Sequence, residues 1–203
     1  MKQFKATYPA IIRFIIYGLL MAALNLVFRF DAGHPSEGAK FGEASVTEMV
    51  QELFLFLMSG IFLFAGLKGR DYRPFTNLLA CFFFASFIRE FNNTLSYWFY
   101  LVIPVLLGAV YLFIRDIKKI PDSAGKFFAG NFTAYFLIGM ITTYIFSRLF
   151  GKTDFWQMIM EESYSRYAKN AGEECIELLG YSFLLISAIE FYLFVNKSKR
   201  TVP

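Results

Sequence analysis

The sequence predicts an all-α, polytopic membrane protein: a bundle of six transmembrane helices with both termini on the cytoplasmic side. Three observations carry this expectation. Of 203 residues, 57% are hydrophobic and 18% charged, whereas a soluble domain has about 45–50% apolar and about 25% charged residues. Six stretches are long and apolar enough to span a bilayer, given that about 20 residues at about 1.5 Å each cover roughly 30 Å of hydrocarbon. Lysine and arginine are also segregated between alternate connections.

The expected spans are about 10–30, 46–67, 75–93, 96–114, 127–149 and 173–195. The first follows Lys2 and Lys5, but its apolar run is too long for a secretion signal and no small-x-small cleavage site follows, so it reads as a retained anchor. The connection at 30–45 is polar, contains Gly33, Gly38, Gly42 and the lone His34, and suits either a plain loop or a lid over an outer opening. The second span opens with the capping box Ser45-x-x-Glu48. Its apolar run from Leu53 to Met58 lacks the alternation of a strand, and an open strand edge has no partner in lipid.

Loop signals at 69–74 precede the third span, which ends in Arg89, Glu90, Asn92 and Asn93. The fourth is uniformly apolar, and a second loop signal covers 119–125. In the fifth, Asn131, Thr142 and Thr143 suit interhelical hydrogen bonds. An amphipathic helix over 154–168 is expected to lie on the outer membrane surface, capped by Asp154 with Gln157 reaching back, and with Trp156 and Tyr164 in the interfacial belt. The last span opens Glu173-Glu174-Cys-Ile-Glu177. Without repeats or low-complexity tracts, residues 1–203 read as a single transmembrane domain.

The connections assigned with the termini hold twelve lysines and arginines, against seven on the other side. This bias places both termini in the cytoplasm, and compact loops suggest the plasma membrane of a bacterium, its inner membrane. Acids have the opposite distribution, with Asp71, Asp116 and Asp122 on the terminal side and most others at the far end.

These far-end acids locate the candidate site. Helical spacing puts Glu48 and Glu52 on one face, and Glu173 and Glu177 on another with Tyr181 one turn deeper. Caps and helix dipoles account for acids in a first turn, such as Glu48, Glu173 and Glu174. Glu52 and Glu177 lie one turn further in. About fourteen apolar residues, some 21 Å, precede Arg89, so Arg89 and Glu90 enter the outer leaflet region. Six carboxylates (Glu48, Glu52, Glu90, Glu173, Glu174, Glu177) face three bases (Arg29, Arg89, Arg148), an excess of three negative charges. Charges at such depth face one another or water. Protonated acids, or a cation that enters the site, would resolve the imbalance.

The expected ligand-binding set is therefore Glu48, Glu52, Arg89, Glu90, Asn93, Glu173, Glu174 and Glu177. Within it, Glu52, Glu90 and Glu177, with Asn93, have the oxygen chemistry for a hard divalent cation such as Ca2+ or Mg2+. At the other end, Arg13 and Glu190 lie at matching depth and are expected to form a structural ion pair.

With one histidine and two cysteines, the chain lacks the residues for a multi-histidine metal site or a disulfide framework, and no phosphate-binding glycine motif is present. The pair Glu173-Glu174 resembles that of glutamate-type intramembrane peptidases related to CAAX-processing enzymes, but the later helices contain no histidine. Six helices in about 200 residues with a long first outer loop are similar to the substrate-capturing subunits of energy-coupling-factor vitamin transporters, although Leu19 to Asn25 lack the alanine-spaced docking motif.

Three functions remain open. One is a transport or solute-binding protein with an outward-facing acidic pocket for a cation or cationic solute. Another is a structural or interaction subunit of a membrane complex. The third is a membrane-embedded enzyme using paired glutamates or a hard metal on an outer-leaflet headgroup. The expected partners are the lipid bilayer and a membrane protein or second copy; nucleic acid is not expected.

Overall fold

In a computed structural model, described for residues 2–34, 41–42, 45–91 and 97–200, the chain is helical and the described residues include no strand. The helices are α1 (Lys2–Gly33), α2 (Val46–Lys68), α3 (Arg73–Glu90), α4 (Trp98–Asp116), α5 (Ile120–Phe128), α6 (Thr133–Phe150), α7 (Thr153–Met160) and α8 (Arg166–Arg200). Among the described residues, five segments are long and apolar enough to cross a membrane: Tyr8–Gly33, Val46–Lys68, Trp98–Asp116, Thr133–Phe150 and Arg166–Ser198. The remaining long helix, α3, has 18 residues. Arg73 at one end and Arg89 and Glu90 at the other reduce its apolarity.

α3 runs antiparallel along α2. Ser59 Oγ donates to the Ala80 carbonyl at 2.9 Å, and Phe62 stacks on Phe83 while Phe56 meets Phe87. Helix α8 is the most buried long helix, and α1 and α4 are the least covered. The core is largely aromatic, with Phe62, Phe83, Phe127 and Phe191 fully buried. Around Phe127, the rings of Phe62, Phe132, Phe136 and Phe191 pack at 5.0–6.1 Å. The phenylalanines of α2 and α3 divide between this core and the outside: Phe54 and Phe83 are buried, Phe56 and Phe82 exposed.

The start of α1 and the end of α8 lie at one end of the bundle. Near the start of α1, Arg13 donates to both oxygens of Glu190 near the end of α8, at 2.5 and 3.0 Å, and Tyr17 donates to Glu190 at 2.5 Å. At the opposite end, Asp31 in the last turn of α1 is 3% exposed. It accepts from Val46 N at 3.0 Å, Thr47 N at 2.7 Å and Thr47 Oγ1 at 2.5 Å. Ser45 Oγ accepts from Glu48 N, and Met49 N bonds to the Ser45 carbonyl. Every N–H in the first turn of α2 thus has an acceptor, the usual need of a helix start.

Several expected boundaries change. Residues 119–125, expected as loop, mostly fold into α5, because Pro121 occupies its first turn, where a missing N–H costs nothing. Phe127 then anchors α5 in the core, and Ser123 Oγ accepts from Phe75 N at the start of α3. The fifth span consequently begins at Thr133 instead of 127. Asn131 lies exposed in the preceding turn and makes no interhelical bond with a described residue, whereas Thr143 is buried and donates to the Glu177 carbonyl at 3.5 Å. The expected helix 154–168 is shorter: α7 ends at Met160, and Glu161 has φ 47°, a conformation side chains rarely adopt. Lys152 is the cap residue of α7 and no side chain caps it, so Asp154 does not play that part. The last helix starts at Arg166, seven residues earlier than expected.

Candidate functional site

The acids assemble at the end of the bundle opposite the termini, where α2, α3, α6 and α8 meet. The crossing of α6 and α8 sets the geometry. A Cβ on Gly180 would come within 2.8 Å of Thr143 N, and one on Gly139 within 2.9 Å of the Gly180 carbonyl. Only hydrogen side chains permit this approach, the small-residue packing common in membrane helices. Gly180→Ala is therefore expected to force α6 from α8 and cost about 1–3 kcal/mol, measured as a lower unfolding midpoint of the purified protein.

Just beyond Gly139, α6 contains a π turn, Thr142–Phe146, in which Ser147 N bonds to the Thr142 carbonyl. Ser147 Oγ also bonds to the Thr143 carbonyl. The next turn of α6 presents Arg148 to α8. Its Nη1 donates to Glu173 at 3.0 Å and its Nη2 to Glu177 at 2.8 Å. Glu173 also accepts from Lys169 at 2.6 Å. Glu177 is 3% exposed and accepts from the Tyr181 hydroxyl at 3.2 Å. The Tyr181 ring meets Tyr144 edge-on, and the Tyr144 hydroxyl lies 3.4 Å from Ser86 Oγ on α3. A polar chain thus runs from α8 across α6 to α3.

The other acids have different partners. Arg89 Nη2 donates to its neighbour Glu90 at 2.7 Å. Glu174 Oε2 accepts at 3.0 Å from Gln51, a buried amide whose Nε2 also reaches the Glu174 carbonyl at 3.3 Å. Glu52 is partly exposed and has no hydrogen bond or ion pair with a described residue. Glu48 lies in the first turn of α2 beside its cap, and Asn93 is outside the described residues.

Among the described residues, no three of histidine, cysteine, aspartate and glutamate are grouped to hold a metal ion. Of the acids expected as cation ligands, Glu90 is held by Arg89, and Glu177 by Arg148 and Tyr181. Arg29, expected among the neutralising bases, is exposed and pairs with none of these acids; Lys169 takes that role. Sequence reasoning missed Gln51 and Asp31. Their signal was available: an amide one turn inside an apolar helix, and an acid at the end of another, need partners across the bundle.

The chain matches no protein family, no curated protein and no solved structure. What the site defines is a class: an all-helical protein with membrane-spanning character, in which acids around the buried Glu177 gather where four helices meet.

Proposed function

We propose that the chain is a multi-pass transport or solute-binding protein that takes a cation or cationic amine into its acidic end. One observation carries this reading. Glu90, Glu173 and Glu177 each hold a cationic side chain, whereas Glu52 and Glu174 form no ion pair with a described residue. A carboxylate in the outer part of a bilayer needs a countercharge or water, and these two leave that role to a ligand.

Six crossings fit the geometry. An even number of traverses agrees with the start of α1 and the end of α8 meeting at one end, and α3, antiparallel to α2, is read as a sixth beside the five strongly apolar helices. The bias of lysine and arginine assigns the terminal end to the cytoplasm, so the acidic end faces outward from a plasma membrane, that of a bacterium in our reading. The competing reading is a structural subunit, favoured by the Lys169–Glu173–Arg148–Glu177 network as a clamp between α6 and α8.

Thermal unfolding of the purified chain with Na+, K+, Ca2+, Mg2+ or putrescine separates them. At about 100 times Kd a ligand is expected to raise the midpoint by about 5–10 °C. Glu52→Gln should abolish this rise while leaving the ligand-free midpoint unchanged. A wild-type chain indifferent to all five, or an unaltered response in Glu52→Gln, refutes the reading.

A further inference from the structure

At the terminal end, a groove of about 440 Å³ lies between the turn joining α2 to α3 and the end of α4, lined by Arg70, Arg73, Pro74, Arg115, Asp116 and Lys119. We propose that it is the headgroup site of an anionic phospholipid. Its charges are unbalanced. Arg115 donates to Asp116 Oδ2 at 2.5 and 3.0 Å, and Lys119 lies 3.9 Å from the other oxygen. One carboxylate is thus shared by two cations. Arg70 and Arg73 form no ion pair with a described residue, and their planar forks match phosphate oxygens.

The surface leading to the groove is apolar. Helix α4 buries only Val102, and Tyr111, Ile114 and Ile117, beside the groove, are more than half exposed. The Arg115 guanidinium lies 5.7 Å from the centre of the Tyr111 ring. A ligand that fits both parts carries a phosphate for the arginines and acyl chains for α4, the arrangement by which basic sites at helix ends retain anionic lipids. The other basic cavities at this end are less suited. In the one between α1, α6 and α8, Arg13 is held by Glu190 and Lys126 by Asp122, which leaves Lys197 as its one cation without an ion pair among the described residues. The one beside Lys68 shares Arg70 with the groove but also contains Asp71, and its Lys68 ammonium is held by Tyr192 and Asn196.

The test uses the full chain in mild detergent, titrated separately with phosphatidylglycerol, phosphatidylcholine and inorganic phosphate. Bound lipid is counted by native mass spectrometry. Phosphatidylglycerol should bind in preference to phosphatidylcholine, and inorganic phosphate should not displace it at equal concentration. Arg70→Gln with Arg73→Gln should lower the preference roughly thirtyfold, the loss expected for two cations at an anionic interface, while Lys126→Gln with Lys197→Gln leaves it intact. If the double arginine variant fails to fold, Arg70→Gln alone is read for a smaller loss in the same direction. No lipid preference, displacement by inorganic phosphate, or an equal loss in the lysine variant overturns the site. The groove and the acidic cluster occupy opposite ends, so failure at one leaves the other standing.

Discussion

Arg148→Ala is expected to destabilise the protein by about 2–3 kcal/mol. The Glu177 side chain is 4% exposed and that of Arg148 47%. Removing one member of a buried pair costs about 3–5 kcal/mol, because the survivor is left charged without a partner. Here water at the half-exposed arginine already shares the load, which puts the loss below that range. Glu177→Gln should lose only about 1 kcal/mol, since the amide oxygen still accepts from Tyr181 and Arg148 keeps Glu173. Arg148→Ala with Glu177→Gln should fall well short of the sum of the single losses, because the amide removes the stranded charge. Unfolding midpoints of the four proteins measure this cycle, and an Arg148→Ala midpoint equal to wild type would show that α6 and α8 do not depend on the pair.

Asp31→Ala should have a comparable effect by a different route. This side chain alone satisfies Val46 N, Thr47 N and the Thr47 hydroxyl, and Thr47 is fully buried. Loss of a helix cap costs about 0.5–2 kcal/mol, and each buried donor left without an acceptor adds to that. We expect about 2–3 kcal/mol in total. Hydrogen exchange should show faster exchange confined to the first turn of α2. Protection there equal to wild type would mean that Ser45 caps the helix unaided.

The helices were legible because a bilayer demands long apolar runs, a constraint that a single sequence displays directly. The breaks were not. Pro121 and Gly125 resemble loop residues, yet Pro121 occupies a helix start and Phe127 draws the segment into the core. At Glu161 the reverse occurred: helical spacing continued on paper where the backbone turns with positive φ. The site was legible as a set of acids and not as a set of pairs. Glu177 and Arg148 are 29 residues apart, and their meeting depends on Gly139 and Gly180, which one sequence shows only as small residues. Gln51 was overlooked because its partner, Glu174, is 123 positions away.

The wide turn at Thr142–Phe146 has a mechanical consequence. Such a turn carries one residue more than an α-helical turn, so the stretches of α6 on either side of it keep separate angular phase. Deleting a single residue there would let the helix rewind regularly with Arg148 still facing α8, whereas rewinding with every residue kept would swing Arg148 through about 100° from that direction. The orientation of the arginine thus resides in the widening of one backbone turn, and a regular helix of this same sequence would aim the side chain elsewhere.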